Sequence, residues 1–187
     1  MKKLMLLASA VMLILAAGCG NKEKADSEQN TKVETNQESS HHEMDHTGTG
    51  NVPNTLQVAA DPTYPVGSEA IVQADHMEGM KGAVATIAGA YETTAYEVTY
   101  TPVDGGKKVP NHKWVIQEEI KDAGDQPLAD GTEVTIEADH MKGMKGAKGV
   151  IDSSVKTTVY MIDYTPTTGG EPVTNHKWVT EDELSAK

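Results

Sequence analysis

The chain has 187 residues, 37% of them hydrophobic, a length that permits one domain or two small ones. Its formal net charge is −12, with 28 acidic side chains and no arginine, so it lacks the basic footprint of a nucleic-acid-binding surface and that function class is excluded. The single cysteine, Cys19, excludes an intramolecular disulfide.

Lys2 and Lys3 precede an apolar run from Leu4 to Ala17, the build of a secretory signal and too short to be read first as a membrane span. The run ends Leu15-Ala16-Ala17-Gly18-Cys19, which resembles a bacterial lipoprotein signal (lipobox), with Ala16 where leucine is most common. That resemblance implies a signal peptide over residues 1–18, cleavage before Cys19, and lipidation of its sulfur. The protein is then expected to be exported and lipid-anchored on the outer face of the cell membrane. The alternative is an ordinary signal peptide with an incidental cysteine.

Residues 19–61 are rich in Lys, Glu, Asn, Gln, Ser and Thr, too poor in apolar surface to offset ordering entropy, and are read as a disordered tether. Within it His41-His42-Glu43-Met44-Asp45-His46 is a short metal-binding type of tract, with His41, His42, Met44 and His46 as weaker metal candidates. A polar linker that is merely histidine-rich is the other reading of it.

Beyond the tether the sequence repeats without a gap at a spacing of 64 residues, as from His76 to His140. Residues 62–123 form the first repeat domain and 124–187 the second. Ala74-Asp75-His76-Met77-Glu78-Gly79-Met80-Lys81-Gly82-Ala83 returns as Ala138 to Ala147, with Lys142 in place of Glu78. Asn111-His112-Lys113-Trp114-Val115 returns as Asn175-His176-Lys177-Trp178-Val179. Tyr96, Val98 and Tyr100 alternate with Glu97 and Thr99, and Tyr160, Ile162 and Tyr164 with Met161 and Asp163, which is strand periodicity. Asp104-Gly105-Gly106 and Thr168-Gly169-Gly170 read as hairpin turns. The expected fold is therefore all-β, two tandem small SH3-like β-barrels of about five strands each, with an OB-like closure as the near alternative.

The chemistry lies in the glycine-flanked loops. Thioether sulfur is a soft ligand and imidazole a borderline one, a pairing suited to Cu(I) rather than to magnesium or calcium. The candidate metal residues are His76, Met77 and Met80, with His140, Met141 and Met144. To these are added His112 and Trp114, with His176 and Trp178, which the two-residue strand period sets on one face. A His, Met and indole set of this kind resembles the copper sites of small periplasmic copper chaperones, although their motif is not matched. Against this, buried methionine is commonly core filler, tryptophan is the natural large core residue in a chain without Phe, and histidine can cap a turn. The pairs Glu118-Glu119 and Glu181-Asp182 read as a solvated face. No nucleophile elbow, cysteine nucleophile or catalytic zinc spacing is present, so no enzyme is expected.

The tandem Asp-His-Met-x-Gly-Met-Lys-Gly-Ala and Asn-His-Lys-Trp-Val motifs, behind a lipoprotein signal, resemble the YdhK/CopL-type surface lipoproteins. The resemblance spans nearly all of Pro65 to Leu184. It implies a copper-binding protein of copper tolerance, held outside the cytoplasmic membrane and without enzymatic activity. Copper ions and the membrane, through the lipid anchor, are then the expected partners. A competing reading from another class is a cell-wall-binding module of tandem SH3-like domains, which needs an exposed aromatic groove.

Overall fold

The structure is a computed structural model that describes residues 47–187. The expectations for the signal peptide, for Cys19, and for His41, His42, Met44 and His46 lie outside the described residues, whereas residues 47–61 of the expected disordered tether are ordered, because Leu56 is buried in a core and Gln57–Val58 pair with a long strand.

Eight strands follow in chain order: β1 Gln57–Val58, β2 Glu69–Val72, β3 Val84–Thr101, β4 Val109–Ile116, β5 Glu133–Thr135, β6 Lys148–Tyr164, β7 Val173–Thr180 and β8 Leu184–Ala186. Short 3-10 turns at Gln117–Glu119 and Glu181–Glu183 follow β4 and β7. Among the described residues there is no α-helix, and all eight strands belong to one sheet that is not closed.

That sheet corrects the expectation of two separate barrels. β3, with 18 residues, spans about 60 Å, too long for a barrel of one repeat. It pairs antiparallel with β6 along nearly its whole length, from Ala85 opposite Tyr164 to Thr101 opposite Lys148. Thr93 lies opposite Thr157, its own counterpart 64 residues on, so a pseudo-two-fold axis passes through that pair. The ladder slips once in each half, leaving Ala88 unpaired on β3 and its counterpart Asp152 unpaired on β6. Such bulges bend and twist long strands.

The consequence is exchange of parts between repeats. β2 of the first repeat pairs with β8 of the second, Val72 opposite Leu184, and the mirrored bridge joins Ile120 to Ile136. One hydrophobic core combines Val72, Met80 and Ile87 with Tyr160, Ile162 and Leu184. The other combines Tyr96, Val98 and Ile120 with Ile136, Met144 and Ile151. A third core at the middle holds Trp114 and Trp178 together with Leu56, Ile116 and Met161. Each outer core thus draws apolar side chains from both repeats, and their burial is the main stabilising term.

The Met loops are fixed in the same reciprocal way. The hairpin joining β6 to β7 clamps the first loop, with Thr167 N–H donating to Gly79 O at 2.8 Å. A Cβ on Gly79 would fall 2.5 Å from Thr168 Oγ1, and its φ of 74° also favours glycine. The hairpin joining β3 to β4 holds the second loop through Val103 N–H to Gly143 O at 2.9 Å.

Candidate functional site

The two 3-10 turns each end in a glutamate, Glu119 and Glu183, placed five residues after the tryptophan of the same repeat. Glu119 is buried at 6% exposure, which corrects the reading of Glu118-Glu119 as a solvated pair. Asp182 is exposed as expected, and Glu181 is partly buried, with its carboxylate accepting from Tyr160 O–H at 3.1 Å. Taking a carboxylate out of water is costly unless it is hydrogen-bonded, and both buried Glu119 and partly buried Glu183 are. Glu119 accepts from His140 Nε2 at 2.8 Å, from Trp178 Nε1 at 3.0 Å and from the Ile116 amide at 3.3 Å. Glu183 accepts from His76 Nε2 at 2.7 Å, from Trp114 Nε1 at 2.7 Å and from the Thr180 amide at 3.0 Å. Each carboxylate therefore binds the histidine and the indole of the other repeat.

Burial resists ionisation of Glu183, but the His76 hydrogen bond and charge, with the Thr180 and Trp114 donors, outweigh it and hold the carboxyl at about 2. Glu119 is likewise held below the usual carboxylate range: burial opposes this, and the charge and hydrogen bond of His140, then Trp178 and Ile116, overcome it. An ionised carboxylate only accepts, so the Nε2 of His76 and of His140 carries the proton. With Nε2 protonated, the neutral tautomer of each ring has its lone pair on Nδ1. In both residues Nδ1 is buried and has no hydrogen-bond partner among the described residues.

His112 adds a third such atom, a buried Nε2 without a partner among the described residues. Burial first, then the nearby His140 and His76, push its pKa down to about 4 against the opposing pull of Glu119, so the ring is neutral at pH 7. Its ring centre lies 6.4 Å from that of His140, at an interplanar angle of 38°. Tyr100 meets it edge-on at 5.8 Å, and Tyr164 meets His176 in the same way at 5.9 Å.

A cavity of about 890 Å³ is lined by His76, His112, His140 and His176 together with Met77 and Met141. Those six candidates share one space. The remaining four stand behind it. Met80 and Met144 are fully buried, one in each outer core, and Trp114 and Trp178 are buried in the middle core with their N–H groups committed to the glutamates. The Tyr100 hydroxyl donates to Met141 Sδ at 3.9 Å. Among the described residues no three His, Cys, Asp or Glu side chains converge as a metal cage. His112 and His140 form one pair of imidazoles, and Met77 and Met141 line the same cavity.

Sequence reasoning missed Glu119 and Glu183. The available signal was recurrence: a glutamate five residues after each tryptophan, in turns whose other acids drift between Glu118 and Asp182.

A family profile described as a protein of unknown function, DUF1541, matches the chain twice, at residues 66–117 and 130–181. The Uncharacterized protein YdhK of Bacillus subtilis (strain 168) is 58% identical over 182 residues, covering 97% of this chain and 87% of that protein. The crystal structure of a DUF1541 family protein, ydhK, from Bacillus subtilis superposes with a TM-score of 0.75 at 65% identity, over 79% of this chain and 100% of that one. The solution structure of the ydhK C-terminal domain gives a TM-score of 0.63 at 68% identity, over 66% of this chain and 93% of that one.

Proposed function

The chain belongs to the DUF1541 family, and from the paired histidine–methionine sites we propose that it is a Cu(I)-binding lipoprotein. On this reading it is exported, anchored by the lipidated Cys19, and sequesters or buffers copper outside the cell membrane for copper tolerance. The carrying observation is the carboxylate–histidine arrangement. A metal-ligating histidine characteristically donates its other ring N–H to a carboxylate, which fixes tautomer and orientation. His76 and His140 already do so, to Glu183 and Glu119, and each keeps a buried, unpartnered Nδ1.

One site is then His112, His140 and Met141, and its counterpart is His76, Met77 and His176. Two imidazoles facing one ion across metal–nitrogen bonds of about 2 Å would have ring centres roughly 6 Å apart, and the His112–His140 spacing of 6.4 Å fits that span. Met77 and Met141 on the wall of the same cavity would make the donor set soft, which favours Cu(I) over oxygen-seeking ions. Met80, Met144, Trp114 and Trp178 support the sites through packing and through the indole–glutamate bonds. The role has no catalytic step.

The wall-binding alternative is less well supported, because Tyr96, Tyr100, Tyr160 and Tyr164 are all buried rather than lining an exposed groove. The test is anaerobic Cu(I) titration of the full chain with Zn(II) as comparator. The expected result is loss of two equivalents of Cu(I) in a His76→Ala, His140→Ala variant that remains folded. Undiminished binding by that variant rejects the proposal.

A further inference from the structure

Asn111-His112-Lys113-Trp114 and Asn175-His176-Lys177-Trp178 are identical in type, yet among the described residues the segment before β1 crosses the second and not the first. The segment from Thr47 to Pro53 runs across it as a strap. Gly48 N–H donates to Thr174 O at 2.8 Å, Asn175 Nδ2 donates to Gly48 O at 3.3 Å, and the Lys177 ammonium donates to the Asn51 carbonyl. The approach is close enough that a Cβ on Gly48 would fall 2.3 Å from Asn175 O. Thr47, Gly48, Thr49 and Asn51 also form part of the cavity wall.

At the equivalent edge of the first repeat, Pro110 and Asn111 are exposed. Under the strap His176 is 8% exposed, where its counterpart His112 is half-buried. The loops differ too, with Glu78 beside Met77 and Lys142 beside Met141.

We infer that the two copper sites are kinetically unequal: the Thr47–Pro53 strap occludes the His76, Met77 and His176 site, while the His112, His140 and Met141 site exchanges its ion freely. The inference rests on the copper reading above and adds a division of labour to it. The open site takes up and gives up Cu(I), and the strapped site stores it. Release from the strapped site requires the strap's hydrogen bonds to break, which slows it by about tenfold or more.

The experiment uses the full chain with His41, His42 and His46 changed to Ser and Met44 to Leu, so that only ions in the cavity are read. The protein is loaded with two equivalents of Cu(I) without oxygen and mixed with excess bathocuproine disulfonate in a stopped-flow spectrometer. Two phases of equal amplitude, about tenfold apart in rate, are expected. Met77→Leu should remove the slow phase and Met141→Leu the fast one. Gly48→Val, and separately Gly50→Val at a φ of +74°, should speed the slow phase into the fast one with total bound copper unchanged. Single-phase release of two ions, or a slow phase indifferent to both glycine substitutions, overturns the strap inference and leaves the copper reading standing. Absence of any tightly bound Cu(I) in this protein overturns both.

Discussion

Met77 and Met80 sit three residues apart on one tight turn, with Met80 N–H donating to Met77 O at 3.2 Å, and they differ in burial. Met80 is fully enclosed by the first outer core, whereas Met77 is half-buried, packed against the edge of that core and lining the cavity. Met141 and Met144 repeat the contrast in the second loop. The same side chain thus serves as ballast at one end of the turn and lines the histidine cavity at the other. A glycine-flanked turn can carry both because it faces the core with one end and the cavity with the other. Motif chemistry alone does not separate these ends.

Breaking the support behind the wall should have the largest effect. Glu119→Ala leaves the His140 ring, the Trp178 indole N–H and the Ile116 amide without their shared acceptor, and stability is expected to fall by about 3–5 kcal/mol in a denaturant titration. Because Glu119 serves the His140 of the other repeat, Cu(I) affinity should drop by about 10–100-fold at that site while the His76 site keeps its own. Equal weakening of both sites would show that the carboxylate does not act through His140.

Next comes the core end of the turn. Met80→Ala and Met144→Ala each open a cavity in a closed core and should cost about 2–5 kcal/mol, with copper stoichiometry unchanged whenever the variant is folded. Loss of copper from a folded variant would place the sulfur in the site instead. The smallest stability change is expected at the cavity end. Met77→Leu with Met141→Leu conserves volume and should cost less than about 1.5 kcal/mol per position, yet Cu(I) binding should weaken markedly. Unaltered Cu(I) binding by a folded double variant would make all four methionines packing residues.

Much of the fold is legible in the residues. Tyr96, Val98 and Tyr100 alternate as strand residues and are buried together on β3, and the glycines expected to turn do so, with Gly105 at a φ of 84° and Gly169 at 87°. The exchange between repeats is not legible, because a gap-free duplication reads the same whether each copy closes on itself or on its neighbour. The segment from Ile87 to Ala95 also hides its continuity. Its small residues lack a clear two-residue period, so it reads as a break between strands where β3 in fact runs through, and Gly89 lies under the Tyr91 ring, 2.7 Å from where a Cβ would be. At the site, the histidines are visible as motif residues, but the glutamates hide in an acidic run where only the third dimension separates Glu119 from Glu118.

The axis through Thr93 and Thr157 also constrains how such a molecule can arise. A single repeat has half of each outer core and half of each site, so an ancestor with one repeat would have worked as a two-fold homodimer with two identical halves. Fusing the genes replaces an encounter between chains with a covalent linker, raising effective concentration to the millimolar range or so and removing any dependence on expression level. It also frees the halves from obligatory identity. Differences between the halves, such as Glu78 against Lys142 or a strap that among the described residues crosses one edge, become possible only after that fusion, because in a homodimer every change is made twice.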